Sequence, residues 1–318
     1  MNTTRDHGGG IDAAIAKWGG QRQAWLDLST GINPVPYPVP ELPVESWNSL
    51  PDRAAQETLE AAARGFWNVP AHLAVIAAPG ASALIARMPG LAARGAVAVA
   101  QPTYNEHLAA FQASGWRVHD PQAVERADAW VCVHPNNPDG RLWQARELPD
   151  SGLCIIDESF CDVTPDETLL AHAGMPGRIV LKSFGKFWGL AGVRLGFAIG
   201  LPETVAPLRE ALGPWPVSGP ALHVGAVALN DPVWAQATRV RLSADAARLD
   251  RIMADAGVGC IGGTTLFRLY DTVDAACWHD RLCRAHILSR IFPYSARWLR
   301  LGLPGTAAGW AQLEAALA

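Results

Sequence analysis

Short apolar segments alternate with helical segments between residues 50 and 200. The runs Ala96–Ala100, Ala129–Val133 and Leu153–Ile156 are almost entirely apolar, which is typical of buried strands. Buried strands with helices between them predict an α/β fold, in which helices sandwich a mostly parallel central sheet. Ligands of such sheets bind beyond the carboxyl ends of the strands. The polar residues that follow each strand are therefore the candidate site residues.

The bounds of several elements can also be predicted. Asp52 is the expected N-cap of a helix, because its side chain can accept a hydrogen bond from the first turn. A second helix is expected over Ala81–Ala92, between two of the apolar strands.

The pattern changes after about residue 205. Several prolines predict an irregular connector there, namely Pro207, Pro214, Pro216 and Pro220. A long helix follows over Pro232–Ala256, and its arginines are expected to form a solvated face: Arg239, Arg241, Arg248 and Arg251. Strands and helices beyond it predict a smaller α+β domain. We predict an arm over residues 1–34 that packs on the small domain and the active site, a large domain over 35–210 and a small domain over 211–318.

The charge and the cysteines exclude several kinds of function. A net charge of −4 offers no strongly basic face for nucleic acid or an anionic membrane. The six cysteines form no C-x-x-C pair, and no histidine-rich partner segment lies at zinc spacing from them, so no metal site is predicted. No segment approaches the roughly 20 apolar residues of a membrane span, and the polar N-terminus lacks the apolar core of a secretion signal. These features predict a soluble, cytoplasmic protein.

Only three of the 26 basic residues are lysines: Lys17, Lys182 and Lys186. Lys186 lies in the loop S-F-G-K-F-W-G between two predicted strands, where glycines and aromatic rings partly shield an amine from water. Such shielding favours Schiff-base chemistry. Ser183 and Arg194 on either side supply a hydroxyl and a guanidinium for a phosphate. Lys182 directly follows an apolar strand and is expected to point away from Lys186.

Other candidates follow other strands. Asp157 ends L-C-I-I-D, where a carboxylate either pairs with a protonated ring nitrogen or caps the next turn. Asn137 lies in N-P-D-G, which is also a good β-turn. Gly80-Ala81-Ser82 joins a strand to a helix and suits an anion. Tyr104 either stacks on a planar ligand or packs in the core. Together these residues would surround a flat, phosphorylated, pyridine-like cofactor.

The constellation resembles the class I and II aminotransferases, which are fold-type I enzymes that use pyridoxal 5′-phosphate. The resemblance implies a pyridoxal-phosphate-dependent transferase-like large domain and a homodimer. It also implies that Lys186 binds the cofactor covalently, that Asp157 pairs with the ring nitrogen and that Asn137 binds the 3-hydroxyl group. The phosphate would be held by Gly80, Ala81, Ser82, Ser183 and Arg194. Tyr104 would stack on the ring and is a candidate proton donor.

The segment W-L-R-L-G-L-P resembles the strand whose arginine binds a substrate carboxylate, which implies this role for Arg300 and makes Arg297 the weaker candidate. A narrower resemblance, to the threonine-phosphate decarboxylase branch, rests on three segments: H-G-G-G at His7–Gly10, L-D-L-S-T-G-I-N-P at Leu26–Pro34, and D-E-S-F. This carboxy-lyase branch converts L-threonine O-3-phosphate to (R)-1-amino-2-propanol O-2-phosphate in cobalamin biosynthesis.

His7, Gly8 and Asn33 are accordingly candidates for a substrate-borne phosphate, although a glycine-rich terminus can also be merely flexible. Two residues depart from the common family pattern. Leu50 replaces a tyrosine that would reach a neighbouring subunit's cofactor, and Phe160 replaces a tyrosine near the 3-hydroxyl. Two alternatives stay open: a histidinol-phosphate-type aminotransferase that uses 2-oxoglutarate, and a non-catalytic pyridoxal-binding module.

Overall fold

The computed structural model describes residues 7–123, 126–150 and 152–318. These residues form two compact units. The sheet unit comprises residues 37–137 and 141–236, and the terminal unit comprises residues 7–36, 138–140 and 237–318. Residues 1–6 of the predicted arm lie outside the described residues.

The strands of the described residues are β1 (Leu26–Asp27), β2 (Ala74–Ala78), β3 (Ala96–Val99), β4 (Arg117–His119), β5 (Ala129–Val133), β6 (Leu153–Asp157), β7 (Arg178–Ser183), β8 (Gly196–Gly200), β9 (Gly259–Thr264), β10 (Phe267–Asp271), β11 (Ile287–Leu288), β12 (Arg290–Phe292) and β13 (Ser295–Gly302). The α-helices are α1 (Ile11–Trp18), α2 (Glu45–Asn48), α3 (Arg53–Phe66), α4 (Ala81–Ile85), α5 (Asn105–Ala113), α6 (Pro202–Leu212), α7 (Gly219–Leu229), α8 (Pro232–Asp255), α9 (Ala275–Arg284) and α10 (Ala307–Leu317).

The sheet unit contains a seven-stranded sheet in the order β2-β8-β7-β6-β5-β3-β4. Strands β3, β4, β5, β6 and β7 are all parallel to one another, whereas β8 runs antiparallel to both of its neighbours, β7 and β2. Every residue of β5 and β6 is buried, because helices cover both faces of the sheet. The predicted α/β fold with a mostly parallel sheet is confirmed.

Of the element bounds predicted for the sheet unit, one is confirmed and another is wrong. Asp52 caps α3 as expected, since its side chain accepts a hydrogen bond from the Ala55 amide. The helix expected over Ala81–Ala92 is wrong in length: α4 ends at Ile85, and a 3₁₀ turn over Met88–Leu91 follows. Pro89 in that turn has no amide hydrogen with which to continue an α-helical ladder.

The predicted proline-rich connector is also wrong, because two helices form there. Pro207 lies inside α6, and Pro220 lies in the first turn of α7, where a missing amide hydrogen is tolerated. Ser218 caps α7, which packs against α3. This packing groups residues 211–236 with the sheet unit, whereas the predicted division ended the large domain at residue 210.

The terminal unit combines helices with a four-stranded antiparallel sheet in the order β12-β13-β10-β9. A short parallel pair joins β1 to β11, which links the N-terminal segment to the C-terminal part of the chain. Among the described residues, none of the helices has both the length and the apolar character that a membrane span requires.

Candidate active site

A cavity in the sheet unit lies at the carboxyl ends of the parallel strands. The structure brings all nine residues predicted to contact the cofactor to its wall: Gly80, Ala81, Ser82, Tyr104, Asn137, Asp157, Ser183, Lys186 and Arg194. These residues come from separate parts of the sequence but follow strands that end at one edge of the sheet. Lys182, expected to point away from Lys186, is not among the lining residues.

Asp157 is the buried acid of this cavity, with 2% of its surface exposed. Its Oδ2 lies 2.8 Å from His107 Nε2, and its Oδ1 accepts hydrogen bonds from the Ser159 amide and the Ser159 hydroxyl. Burial alone would raise the pKa of Asp157, but the contacts with His107 and Ser159 outweigh it and hold the pKa below its ordinary value. The strand end therefore presents an ionised carboxylate at neutral pH.

His107 is a site residue that sequence reasoning missed. It is fully buried in the first turn of α5, three residues after Tyr104. An ionised carboxylate only accepts hydrogen bonds, so the short contact requires a proton on His107 Nε2. The available sequence signal was its spacing of about one helical turn from Tyr104, a predicted site residue. That signal does not identify its partner, Asp157, which lies 50 residues further along the chain.

The opposite side of the cavity is suited to a phosphate group. Arg194 has a left-handed backbone, with φ at 56°, and its Nη1 donates to the Ala191 carbonyl at 2.9 Å. A Cβ atom at position 80 would lie 2.6 Å from Arg194 Nη2, and Gly80 itself has φ at 88°. Only glycine lets the guanidinium approach this turn so closely. The hydroxyls of Ser82 and Ser183 line the same cavity and add further hydrogen-bonding groups.

Two aromatic side chains line the cavity near the lysine and the acid. Burial, followed by the charges of Glu106 and Asp157, raises the pKa of Tyr104 to about 12, so its hydroxyl keeps its proton at neutral pH. The ring of Phe160 lies 5.3 Å from Lys186 Nζ. Phe160 therefore brings an apolar surface to the amine instead of the hydroxyl that a tyrosine would supply.

The two adjacent asparagines of N-N-P-D-G have different surroundings. Asn136 is buried, with its Oδ1 accepting from Thr103 Oγ1 at 2.6 Å and its Nδ2 donating to the Pro102 carbonyl. Asn137 lines the cavity. Asn136 thus holds the turn in place while Asn137 faces the site.

The sequence matches the family described as aminotransferase class I and II over residues 39–313. The chain belongs to this family. It is 41% identical to a threonine-phosphate decarboxylase of Sinorhizobium sp. and 39% identical to one of Pseudomonas aeruginosa, each over 98% of this chain and 97% of the relative. Its fold is also similar to a histidinol-phosphate aminotransferase of Sinorhizobium meliloti, solved with pyridoxal 5′-phosphate. That similarity has a TM-score of 0.81 at 21% identity, and covers 99% of this chain and 94% of the other.

The chain is thus a class I and II aminotransferase-family enzyme, and its cofactor is pyridoxal 5′-phosphate. The cavity fits this group, because it combines a lysine amine, a buried ionised carboxylate and a phosphate-sized cradle that a Cβ at position 80 would fill.

The predicted substrate residues of this aminotransferase-family enzyme belong to the terminal unit. Arg300 is buried on β13 and donates to the Ser29 carbonyl at 2.6 Å. Burial, and then the nearby charge of Arg290, lowers the pKa of Arg300 to about 10. Arg297 is exposed, and its Nε and Nη2 donate to Oδ1 and Oδ2 of Asp271 at 2.8 and 2.5 Å. Arg297 is therefore engaged in a bidentate ion pair at the surface.

The N-terminal segment contacts the rest of the terminal unit. Gly8 lies against the Ser29 carbonyl, and the Gly9 amide donates to Ser29 Oγ at 2.7 Å. His7 lines a second cavity together with Ser29. Ser29 thus connects this segment to Arg300.

Asn33 is buried, and its Oδ1 accepts from Arg241 Nη2 at 2.6 Å. The expectation that Arg241 belongs to a solvated face is therefore wrong. A tertiary contact with Asn33 and an i,i+4 ion pair with Asp245 on the same helix hold this arginine half-buried, and helix periodicity does not reveal the contact with Asn33.

Replacing His107 by phenylalanine is expected to raise the pKa of Asp157, because burial remains while the largest opposing contact is lost. In the wild type, Asp157 has a folded pKa below its ordinary value of 3.8, so its ionised form contributes stability above that value. This contribution disappears as the pH falls through the folded pKa. In the His107→Phe variant the folded pKa of Asp157 moves toward or above its ordinary value, so this acid-dependent loss of stability should shrink or reverse, which thermal unfolding measured between neutral and acidic pH would detect.

We expect kcat of the His107→Phe variant to fall about 10- to 150-fold at neutral pH, since a hydrogen bond to a charged group contributes about 1.5–3 kcal/mol. His107→Gln, which can still donate, is the matched control. An acid-unfolding profile of His107→Phe identical to that of the wild type would contradict the role assigned to His107.

Proposed function

We propose that this enzyme decarboxylates L-threonine O-3-phosphate to (R)-1-amino-2-propanol O-2-phosphate, as a step of cobalamin biosynthesis. The observation that carries the proposal is the 41% identity to a threonine-phosphate decarboxylase over nearly the full length of both chains. The apolar ring of Phe160 beside Lys186 also supports it, because aminotransferases commonly have a tyrosine hydroxyl there.

The proposed cofactor contacts follow from the cavity wall. Lys186 would bind the cofactor covalently, and Asn137 would bind its 3-hydroxyl group. Gly80, Ala81, Ser82, Ser183 and Arg194 would hold its phosphate. When bound, pyridoxal phosphate supplies an electron sink for the electron pair left at the substrate Cα.

Asp157 and His107 would control the charge at the cofactor ring. The ionised carboxylate of Asp157 favours a proton on the ring nitrogen that faces it, because an opposite charge in a buried site is strongly stabilised. His107 keeps Asp157 ionised and correctly oriented through its Nε2 hydrogen. Tyr104 would stack its ring on the planar group.

A proton must be returned to the substrate Cα after carbon dioxide leaves. Lys186 and Tyr104 are the two candidate donors on the cavity wall. With its pKa raised to about 12, the Tyr104 hydroxyl holds its proton tightly and is a weak acid at neutral pH. We therefore assign the proton transfer to the ammonium form of Lys186.

The two ends of the substrate have proposed partners among the predicted substrate residues. The buried guanidinium of Arg300 is the proposed partner of the substrate carboxylate. His7, Gly8 and Asn33 are the proposed partners of the substrate phosphate. Fixing both ends of the substrate would decide which bond at Cα breaks, and for decarboxylation this is the bond to the carboxylate.

The decisive experiment is incubation of the purified holoenzyme with L-threonine O-3-phosphate alone. We expect carbon dioxide and aminopropanol phosphate in equal amounts, without any keto acid. Unphosphorylated L-threonine is the matched control and should react far more slowly. Glutamate formation from histidinol phosphate and 2-oxoglutarate, in place of carbon dioxide release, would contradict the proposal. So would a yellow protein that catalyses neither reaction.

We also infer that the enzyme works as a homodimer in the cytoplasm, with a small phosphorylated amino acid as its partner and without nucleic acid or membrane. The family resemblance and the net charge of −4 support this inference. A monomer in sedimentation velocity at working concentration would contradict the dimer.

A further inference from the structure

A buried ion pair lies directly behind the cofactor cavity. Successive side chains of a strand point to opposite faces of a sheet. Asp157 and Ser183 line the cavity, whereas the adjacent residues Glu158 and Lys182 are paired away from it, with 2.5 Å between Lys182 Nζ and Glu158 Oε2. The two side chains are 3% and 0% exposed, so solvent does not screen this pair.

Further contacts fix both members of the pair. Glu158 Oε2 accepts from Thr168 Oγ1 at 2.7 Å, and Glu158 Oε1 accepts from the Leu169 amide at 2.6 Å. Asp162 lies 3.9 Å from Lys182 Nζ and accepts a hydrogen bond from the Trp67 indole at 2.8 Å. We call Lys182, Glu158 and Asp162 the buried triad.

The buried triad joins the two strands that carry the cavity residues. Asp157 is in register with Leu181, and the Glu158 amide donates to the Leu181 carbonyl at 2.9 Å. The Lys182–Glu158 pair thus spans β6 and β7 at the end of their hydrogen-bonded ladder. Strand β6 ends with Asp157, directly before Glu158. Strand β7 ends with Ser183, directly after Lys182, and the chain then continues to Lys186.

Stability is a poor explanation for such an arrangement. Taking an ammonium and two carboxylates out of water is costly, and apolar residues of similar size often stabilise a core equally well or better. Burial alone would lower the pKa of Lys182, but Glu158 and the other nearby groups raise it above its ordinary value, so the ammonium stays charged. A charged cluster with short, directional contacts does, however, favour one relative position of its two strands.

We propose that Lys182 is a positioning residue, which acts through Glu158 to hold the ends of β6 and β7 in the alignment that places Asp157 and Lys186 in the cofactor cavity. The inference rests on the roles proposed above for Asp157 and Lys186. A displacement of about 1 Å at a reacting group is enough to cost about 100-fold in rate, so loss of the pair should be visible in kcat.

Three variants of the holoenzyme test the proposal. Lys182→Arg keeps the charge and the pairing group. Lys182→Met removes the positive charge and leaves two buried carboxylates. The double variant Lys182→Met with Glu158→Gln removes the pair but keeps the net charge of the buried triad, and it is therefore the matched control for stability.

We expect Lys182→Arg to keep the wild-type circular dichroism of the cofactor band, the wild-type cofactor release rate and most of kcat. Lys182→Met should lower kcat about 100-fold with a smaller change in KM, and it should weaken the cofactor dichroism. Lys182→Met should also release the cofactor faster than the wild type. The double variant should regain thermal stability relative to Lys182→Met, yet keep the weakened dichroism, the faster cofactor release and the low kcat.

Wild-type dichroism, cofactor release and kcat in the double variant would overturn the proposal, because the pair would then serve folding alone. If Lys182→Met does not fold, Lys182→Arg and the double variant decide the question. Dichroism and cofactor release need no substrate, so they test the positioning role even if the wild type fails to release carbon dioxide from threonine phosphate.

Discussion

Replacing Lys186 by alanine is expected to abolish covalent retention of the cofactor. After treatment with sodium borohydride and denaturation, the wild-type polypeptide should carry the cofactor and the Lys186→Ala polypeptide should not. Lys186 lines the cavity, whereas Lys182 is paired with Glu158 behind it. Lys17 belongs to the terminal unit, where its largely exposed side chain lies 3.9 Å from Asp280.

Activity of the Lys186→Ala variant should fall by about 10⁴-fold or more, because the substitution removes both the covalent anchor and the proposed proton donor to Cα. Mass spectrometry of tryptic peptides after borohydride treatment is the direct measurement. Lys17→Ala is the matched control and should keep both labelling and activity. Cofactor fixed to Lys17 or Lys182 in the Lys186→Ala protein would overturn the assignment.

Replacing Asp157 by asparagine is expected to lower kcat by about 100- to 1,000-fold, the usual loss when a preorganised electrostatic partner is removed from a buried site. The amide has nearly the same shape as the carboxylate but carries no negative charge. It therefore cannot favour a proton on the cofactor ring nitrogen. Steady-state kinetics and the absorbance spectrum of the bound cofactor would measure the effect.

Ser159→Ala is the comparison variant for Asp157→Asn. It removes the 2.5 Å hydrogen bond from the Ser159 hydroxyl but keeps the carboxylate and its contact with His107. We expect a loss of about 10-fold, at the lower end of the 1.5–3 kcal/mol of a hydrogen bond to a charged group, because the Ser159 amide still donates to the same oxygen. Equal kcat values for Asp157→Asn and the wild type would refute the electrostatic role of Asp157.

The cavity residues could be predicted from the sequence because local order determines their place. Strands that run parallel in one sheet end at one edge, so Asn137, Asp157 and Lys186 had to meet once their strands were identified. The apolar runs that identify those strands are short, but each is bounded by glycine, proline or a polar residue, and this limits where it can begin and end.

Other residues could not be predicted because their partners are distant in sequence. His107 lies 50 residues before Asp157, and Lys182 lies 24 residues after Glu158. No spacing rule connects such pairs, since register between strands and the packing of α5 bring them together. The helix α7 was missed for a different reason: the prolines near residue 215 indicate a break, but Pro220 falls at the start of the helix, where proline is compatible with it.

The close fit of Gly80 against Arg194 has a consequence for how this enzyme can evolve or be engineered. Position 80 strongly disfavours larger residues because its backbone has φ at 88°, and a Cβ atom there would also displace the Arg194 guanidinium. Gly196 is similarly constrained, since a Cβ there would meet the Ala81 amide. In a saturation mutagenesis library both positions should lose nearly all substitutions, although neither residue has a side chain that could react. Mutational intolerance at these two positions would therefore report the close packing of the Gly80–Ala81 turn against Arg194 and β8, and variation intended to change specificity is better directed to other positions.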